Sequence, residues 1–391
     1  MVKMGITTNM TYLKTALCAT AGALMFAGAA MADPLASPAM TGPVLANPNP
    51  ISVDAGPLGQ VYVSGVVSGV AMAQSNPAFG DHKTQADISN GQVVIQTTEG
   101  PIQFYVQAGI YSLPSLGLGY MKSDKITDAT FGAVPNAYVK IVPSDNVSVM
   151  IGKLPTLVGA EYTFTFQNMN IVRGLLWNQE PAVSQGVQFN FASGPISASV
   201  AWTDGYYSEK ANWISGLLTY TVSPSDSVSV VAAASTSDNS HSSFATSPLL
   251  NNSEIYNLLY THNSGGLTIT PYLQYSRVSE DAGLGIPADS ATFGAAVLGK
   301  YAFSDEFSLA ARAEYIKSTG SVAKGTPNLL YGPGSKAWSL TVTPTYQKGV
   351  FFLRGEASYV QVLDSTPGFA LGDSGTDKSQ FRAIAEAGFV F

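Results

Sequence analysis

Residues 379–391 read SQFRAIAEAGFVF. Phe381, Ala383, Ala385, Ala387, Phe389 and Phe391 fall on one side of a period-two pattern, and Gln380, Arg382, Ile384, Glu386 and Gly388 on the other. This alternation predicts a β-strand with one apolar face and one face that carries charge. Such a strand separates two media, and the remainder of the chain indicates which two.

Period-two segments recur upstream, from 59–74 through 87–98, 101–113, 132–142, 147–158 and onward to 379–391, sixteen in all. Each is long enough to cross a bilayer as a tilted strand, which takes about 9–11 residues. Composition agrees: only 12 % of residues are charged, against 19 Tyr, 18 Phe and 38 Gly. Past the first thirty or so residues, no uninterrupted apolar run reaches the ~18 residues of a spanning helix. Hydrophobicity is spread over every second position. Acidic residues outnumber basic ones, 26 to 19, so the basic footprint of a nucleic-acid binder is missing.

The connections alternate in length. Glu99-Gly100, Pro143-Ser144-Asp145-Asn146, Ser193-Gly194-Pro195, Pro224-Ser225-Asp226-Ser227, Asn263-Ser264-Gly265-Gly266, Ser304-Asp305-Glu306 and Lys348-Gly349 are tight turns, while most of the intervening ones are long. The turn Pro143-Ser144-Asp145 recurs as Pro224-Ser225-Asp226. A β-sandwich also gives alternating strands, but it does not explain a regular switch between short and long connections. A transmembrane barrel does, with short periplasmic turns and long extracellular loops.

Facing follows from parity. In 337–347, Trp338, Leu340, Val342, Pro344 and Tyr346 point outward, and Ser339, Thr341, Thr343, Thr345 and Gln347 inward. The polar set lines a wet lumen, because a cylinder of this size is not filled by its own wall side chains. Pro271 and Pro344 lack a ladder N–H and are expected at bulges. The expected fold is all-β, a transmembrane antiparallel β-barrel of about sixteen strands.

Lys3 and Lys14 precede an apolar stretch ending in Ala30-Met31-Ala32, the pattern of a cleaved signal peptide over residues 1–32. Cys18, the single cysteine, lies within it, so the mature chain has no thiol chemistry. A Pro-rich segment, 33–58, follows as either linker or plug, and the barrel occupies 59–391. The final aromatic strand resembles the C-terminal signal of bacterial outer-membrane barrels. Export and insertion into the outer membrane of a Gram-negative cell are therefore expected.

Three motifs carry a more specific likeness. Gly152-Lys153-Leu154-Pro155-Thr156-Leu157-Val158-Gly159-Ala160-Glu161, Asn170-Ile171-Val172-Arg173-Gly174-Leu175-Leu176 and Gln185-Gly186-Val187 resemble the middle of the outer-membrane β-barrel porins of the OmpL-like group. The resemblance implies an undecorated channel former. Asp204-Gly205-Tyr206 departs from the Asn-Gly-Trp expected after the next strand, which leaves subfamily and solute preference open.

The motifs fall on the connection between the fifth and sixth predicted strands, the longest external loop. In sixteen-stranded porins the corresponding loop narrows the pore, so Glu161, Arg173, Trp177 and Glu180 are the candidate constriction residues. Arg312 with Glu314, Arg354 with Glu356 and Arg382 with Glu386 have inward parity at mid-depth and are the candidate pore lining. They either set the field that selects solutes or form ion pairs that stiffen the wall. Lys153, Arg277 and Lys317 face lipid near external strand ends, where they contact lipopolysaccharide phosphate or snorkel into headgroups.

Catalysis has little support: His82 and His241 fall in external loops and His262 near a periplasmic turn. No cofactor or metal signature occurs; the acidic stretch Asp364–Asp377 has Ca²⁺-ligand chemistry but reads first as an ordinary solvated loop. The functional expectation is a passive channel for small hydrophilic solutes or ions, constricted by that loop. The alternative is a non-conducting barrel that acts through its loops as an adhesin or receptor. Outer-membrane lipid, lipopolysaccharide and a homo-oligomer are the expected partners, with monomer and trimer both open.

Overall fold

The computed structural model describes residues 42–47, 49–327 and 330–391. The expected leader and residues 33–41 lie outside these. The strands are β1 (Ile51–Asp54), β2 (Gln60–Gln74), β3 (Thr84–Thr97), β4 (Ile102–Tyr111), β5 (Asn136–Ser144), β6 (Val147–Pro155), β7 (Val183–Ser193), β8 (Ile196–Thr203) and β9 (Trp213–Ser223). They continue as β10 (Asp226–Ser235), β11 (Ser253–Ser264), β12 (Leu267–Val278), β13 (Ser290–Ala302), β14 (Phe307–Ser318), β15 (Lys336–Lys348), β16 (Phe351–Asp364) and β17 (Ser379–Val390).

Strands β2 to β17 each pair antiparallel with the next, and β17 returns to pair with β2 from Arg382↔Gln74 to Val390↔Val66. The cylinder is closed and has sixteen wall strands, as parity and turn spacing predict. β1 is additional. It extends the periplasmic end of β2, from Asp54↔Gln60 to Ile51↔Val63, below the point where β17 stops. The expected fourth segment, 132–142, is shifted along the chain to Asn136–Ser144.

The facing assignments hold. On β15, Leu340 and Val342 are 51 % and 44 % exposed on the outer face while Ser339, Thr341 and Thr343 are buried inside. On the last strand Phe381 and Phe389 point out and Arg382 and Glu386 point in. An exposed belt of Val, Leu, Ile and aromatic side chains thus surrounds a polar interior, which is stable only with hydrocarbon outside.

The two prolines correct an expectation. Pro271 pairs in register with Val297 on β13, while on the β11 side the ladder skips it and resumes without a shift, from Leu259↔Tyr272 to His262↔Ile269. Pro344 behaves likewise between Leu309 on one side and the gap from Val342↔Ala357 to Thr345↔Arg354 on the other. Neither is a bulge. In an antiparallel ladder one residue directs both backbone groups at the same neighbour, so a missing N–H opens one rung on one side only. Register shifts occur instead at Ser68/Gly69, Ile141/Ser144, Asp226/Ser227 and Lys336/Ala337.

The long loops carry the short helices α1 (Ser123–Ala129) and α2 (Pro248–Asn251). Four of these loops contribute side chains to one buried cluster in the barrel interior. Leu116 of the loop 112–135, Tyr331 and Leu371 of two others, and Met169, Ile171, Val172, Leu175 and Leu176 of the loop 156–182 pack there with Leu298, Ile316, Val360 and Ile384 of the wall.

Candidate functional site

The loop 156–182 leaves β6 at Pro155 and returns at Val183. Its middle is too apolar for an exposed excursion: Phe164, Phe166, Ile171, Val172, Leu175 and Leu176 are at most 1 % exposed. Burying each such side chain stabilises by about 1.5–3 kcal/mol, and inside the barrel the aliphatic ones pack on the inward apolar residues Leu298, Ile316, Val360 and Ile384. Gly152 and Gly186 face each other where the loop meets the wall. A Cβ on either would strike a neighbouring backbone carbonyl, that of Ala137 or of Trp202.

Carboxylates of the wall hold the loop by its backbone. Glu356 on β16 accepts the Ile171 and Val172 N–H groups at 2.5 and 3.1 Å and the Thr343 hydroxyl at 2.8 Å. Glu314 on β14 accepts the Leu175 and Leu176 N–H groups at 3.1 and 3.4 Å and the Ser339 hydroxyl at 2.6 Å. Glu386 on β17 accepts the Thr165 hydroxyl at 2.7 Å. A backbone donor buried without a partner costs about 1–3 kcal/mol, so each acceptor fixes a segment that would otherwise carry stranded donors.

Guanidinium groups do the complementary work on carbonyls. Arg312 pairs with Glu161 of the loop at 2.5 Å and with Glu314 at 3.2 Å, and donates to the Val172 carbonyl at 2.7 Å. Arg354 donates to the carbonyls of Thr165, Asn168 and Met169 at 2.9–3.0 Å and lies 3.4 Å from Glu386. Arg382 reaches the loop 112–135, donating to the carbonyls of Ser115 and Leu118 at 3.1 and 3.2 Å. The planar fork of Arg suits such multiple grips.

All six candidate lining residues therefore face inward, as parity places them, and all six lie beneath the loops at 0–5 % exposure. The four loop candidates are brought to the same region. Glu161 bridges Arg312 and the Gly174 N–H. Arg173 donates to the carbonyls of Thr163 and Pro114, and its guanidinium lies 4.1 Å from the centre of the Trp177 ring. Trp177 thus braces Arg173 within the loop. Gly174 has no room for a Cβ because the Glu314 carboxylate occupies that space.

Glu180 is the exception among the charges. It accepts the Tyr272 hydroxyl with one oxygen, and the other has no partner among the described residues. Burial raises its carboxyl well above the usual range, and neighbouring Glu161 and Glu314 push in the same direction.

Sequence reasoning missed two elements. One is the role of Glu314 and Glu356 as backbone acceptors, with Glu386 receiving the Thr165 hydroxyl beside them; an apolar run inside an external loop was the available signal that something inside must receive it. The other is the set of contacts made by the N-terminal strap, 42–47, which lies in the Pro-rich segment expected as linker or plug. Gly42 donates to the Gln167 carbonyl at 3.1 Å, and Leu45 exchanges two hydrogen bonds with the Gln347 side chain, at 2.7 and 2.9 Å. Val44 is fully buried against a cluster that includes Phe164, Phe166 and Phe352.

At the external rim, Lys153 donates to the carbonyls of Phe131 and Val134, and Arg277 pairs with Asp289 at 2.7 Å. Lys317 stays exposed, opposite Lys336. Asp364 pairs with Lys336 at 2.7 Å. Among the described residues no cluster of three His, Cys, Asp or Glu side chains has the geometry of a metal site.

A closed antiparallel barrel of sixteen strands, apolar outside and polar within, defines the outer-membrane porin class. The anion-selective porin of Comamonas acidovorans superposes with a TM-score of 0.57 at 14 % identity, over 85 % of this chain and 99 % of that one. The outer-membrane channel DcaP of Acinetobacter baumannii gives 0.58 at 13 % identity, over 85 % and 97 %. Salmonella typhi OmpF gives 0.57 at 10 % identity, over 87 % and 100 %. No curated protein matches in sequence. Residues 60–391 match the family described as "Putative beta-barrel porin-2, OmpL-like", and the chain belongs to that family.

Proposed function

We propose that this porin is a passive diffusion channel for small hydrophilic solutes or ions, in which the loop 156–182 sets the limiting cross-section. The observation that carries this reading is that the loop, though held to the wall, leaves part of the lumen open beside it. Its charged anchors are on β14, β16 and β17, further hydrogen bonds run from the Gly159 N–H to Asn257 and from Gln274 to the Leu176 carbonyl, and residues 156–163 with Asn168 and Met169 face a cavity of about 370 Å³ against β9–β13. The turn residues Asn263, Gly265 and Gly266 at the periplasmic end also line that cavity. In this reading the Arg and Glu residues of the wall act indirectly. They hold the loop at one position and contribute a fixed field from beneath it, undamped by bulk water.

A second reading has its own support. The strap 42–47 is bonded to the underside of the loop, which favours a plugged barrel whose external loops act as adhesin or receptor. Planar-bilayer recording of the folded full chain separates the two. Discrete conductance steps support the channel; a folded barrel that inserts and stays silent supports the plugged receptor.

A further inference from the structure

The cavity between the loop and β9–β13 is graded along the barrel axis. Toward the periplasmic mouth it presents hydroxyls, Ser229, Thr261, Thr268 and Thr270, and one ammonium, Lys300 on β13. One step deeper on the same strands the wall turns aliphatic, with Leu217, Val231, Leu259 and Leu298, and Val158 and Met169 of the loop close it from the other side. Register shows the change as a gradient: Thr268 pairs with Lys300 at one level, Thr270 with Leu298 at the next, and Val231 with Leu217 one step beyond the pair Ser229 and Leu259.

Lys300 is the unusual member. Its ammonium is half-buried, yet among the described residues it makes one hydrogen bond, a long 3.5 Å approach to the Gly42 carbonyl of the strap, and enters no ion pair. Among the described residues the only carboxylate lining the same cavity, Glu161, is already engaged by Arg312 and by the Gly174 N–H. A partly desolvated cation without a counter-ion costs free energy that an anion brought alongside recovers. Thr268 stands opposite Lys300 in the ladder, its hydroxyl donated to the Asn263 side chain at 3.2 Å, and the Thr270 hydroxyl lies 3.2 Å from that of Thr261, so an anion takes over these long hydrogen bonds as acceptor; apolar surface lies one residue deeper. The volume is at the lower end of the roughly 300–1,000 Å³ of small-molecule pockets.

We propose that this cavity is a binding subsite for small organic monoanions with a short aliphatic tail. The carboxylate sits at Lys300 and the Thr268 and Thr270 hydroxyls, and the tail lies on Leu259 and Leu298. The proposal rests on the channel reading only for its route of entry; the site itself exists whether or not the barrel conducts. It also gives the strap a part, since the Gly42 carbonyl holds the place at Lys300 that the incoming carboxylate takes.

Hexanoate is the probe, with acetate and hexylammonium as controls. In planar bilayers carrying the full chain, hexanoate added on the periplasmic side reduces ionic current in a saturable way, acetate does so at least about tenfold more weakly, and hexylammonium does not. Lys300→Gln raises the half-blocking concentration at least about tenfold, a change of about 1.4 kcal/mol, and Lys300→Arg keeps it near that of the parent. Equal block of the parent and Lys300→Gln, or equal block by hexanoate and hexylammonium, overturns the site. If the folded barrel proves silent, the channel reading fails, and titration calorimetry of hexanoate into the detergent-folded protein tests the site alone. A saturable heat that weakens about tenfold in Lys300→Gln supports it; the same heat in both, or none in the parent, overturns it.

Discussion

Phe391 and Gly65 close the barrel by exchanging both backbone hydrogen bonds, Gly65 N–H to the Phe391 carbonyl at 2.8 Å and Phe391 N–H to the Gly65 carbonyl at 2.9 Å. The Phe391 ring then lies over Gly65. A Cβ there would come 2.5 Å from the ring and 2.6 Å from the Gln92 carbonyl. An aromatic lying over a strand glycine in this way restores side-chain packing the glycine lacks.

Gly65→Val is therefore expected to force the ring aside and strain the closing seam. Overpacking of this kind costs about 1–3 kcal/mol. Urea unfolding in detergent micelles checks it; a midpoint equal to that of the parent would remove Phe391 and Gly65 as a packed pair.

Glu356→Ala strands the Ile171 and Val172 N–H groups. At about 1–3 kcal/mol for each stranded donor, the loop loosens at Ile171 and Val172 while Arg354 keeps its grip on the carbonyls of Thr165, Asn168 and Met169, and the barrel, held by its own ladders, persists. Single-channel records should show larger and noisier current steps than the parent, with Glu356→Gln intermediate because one acceptor oxygen remains. Quiet, unchanged steps in the alanine variant would place the limiting cross-section elsewhere.

The Glu180 carboxyl supplies a pH dependence with a definite sign. Its folded value lies above the ordinary 4.5, so the native state keeps a proton that the unfolded chain gives up. Its contribution is present in full below the unfolded value and is lost as pH rises through the folded one. Denaturant midpoints should fall between mildly acidic and alkaline pH, and Glu180→Gln should flatten that slope. An unchanged slope in the glutamine variant would assign the dependence to another group.

The strap gives a fourth test. A Cβ on Gly42 would collide with the Asn168 carbonyl, and Val44 is fully buried, so Gly42→Leu combined with Val44→Asp should expel 42–47 from the lumen. Conductance should rise, and a protease supplied at the periplasmic face should cut the segment faster than in the parent. Equal cleavage and equal conductance would show the strap idle.

The barrel was legible in the chain because wall strands obey a two-residue period that each segment displays by itself. The seat of the loop was not, because its contacts join residues far apart. Glu161 meets Arg312 across 151 positions and Thr165 meets Glu386 across 221. Parity assigned Arg312, Arg354 and Arg382 to the inner face, but it says nothing about what lies on top of them. The apolar run from Phe164 to Leu176 was the local sign that this loop avoids water. β1 escaped notice for a different reason: Ile51-Ser52-Val53-Asp54 is too short to show a period and borders a Pro-rich segment.

β1 also fixes where the strap lives. Because it is hydrogen-bonded to β2 at the seam, residues 42–47 stay within a few residues of the lumen even when they leave it. Short tethers hold a ligand at an effective concentration on the order of millimolar. Occupancy of the lumen by the strap is then a property of each barrel alone, the same in a crowded membrane as in a dilute one, and an incoming solute competes against a fixed opponent.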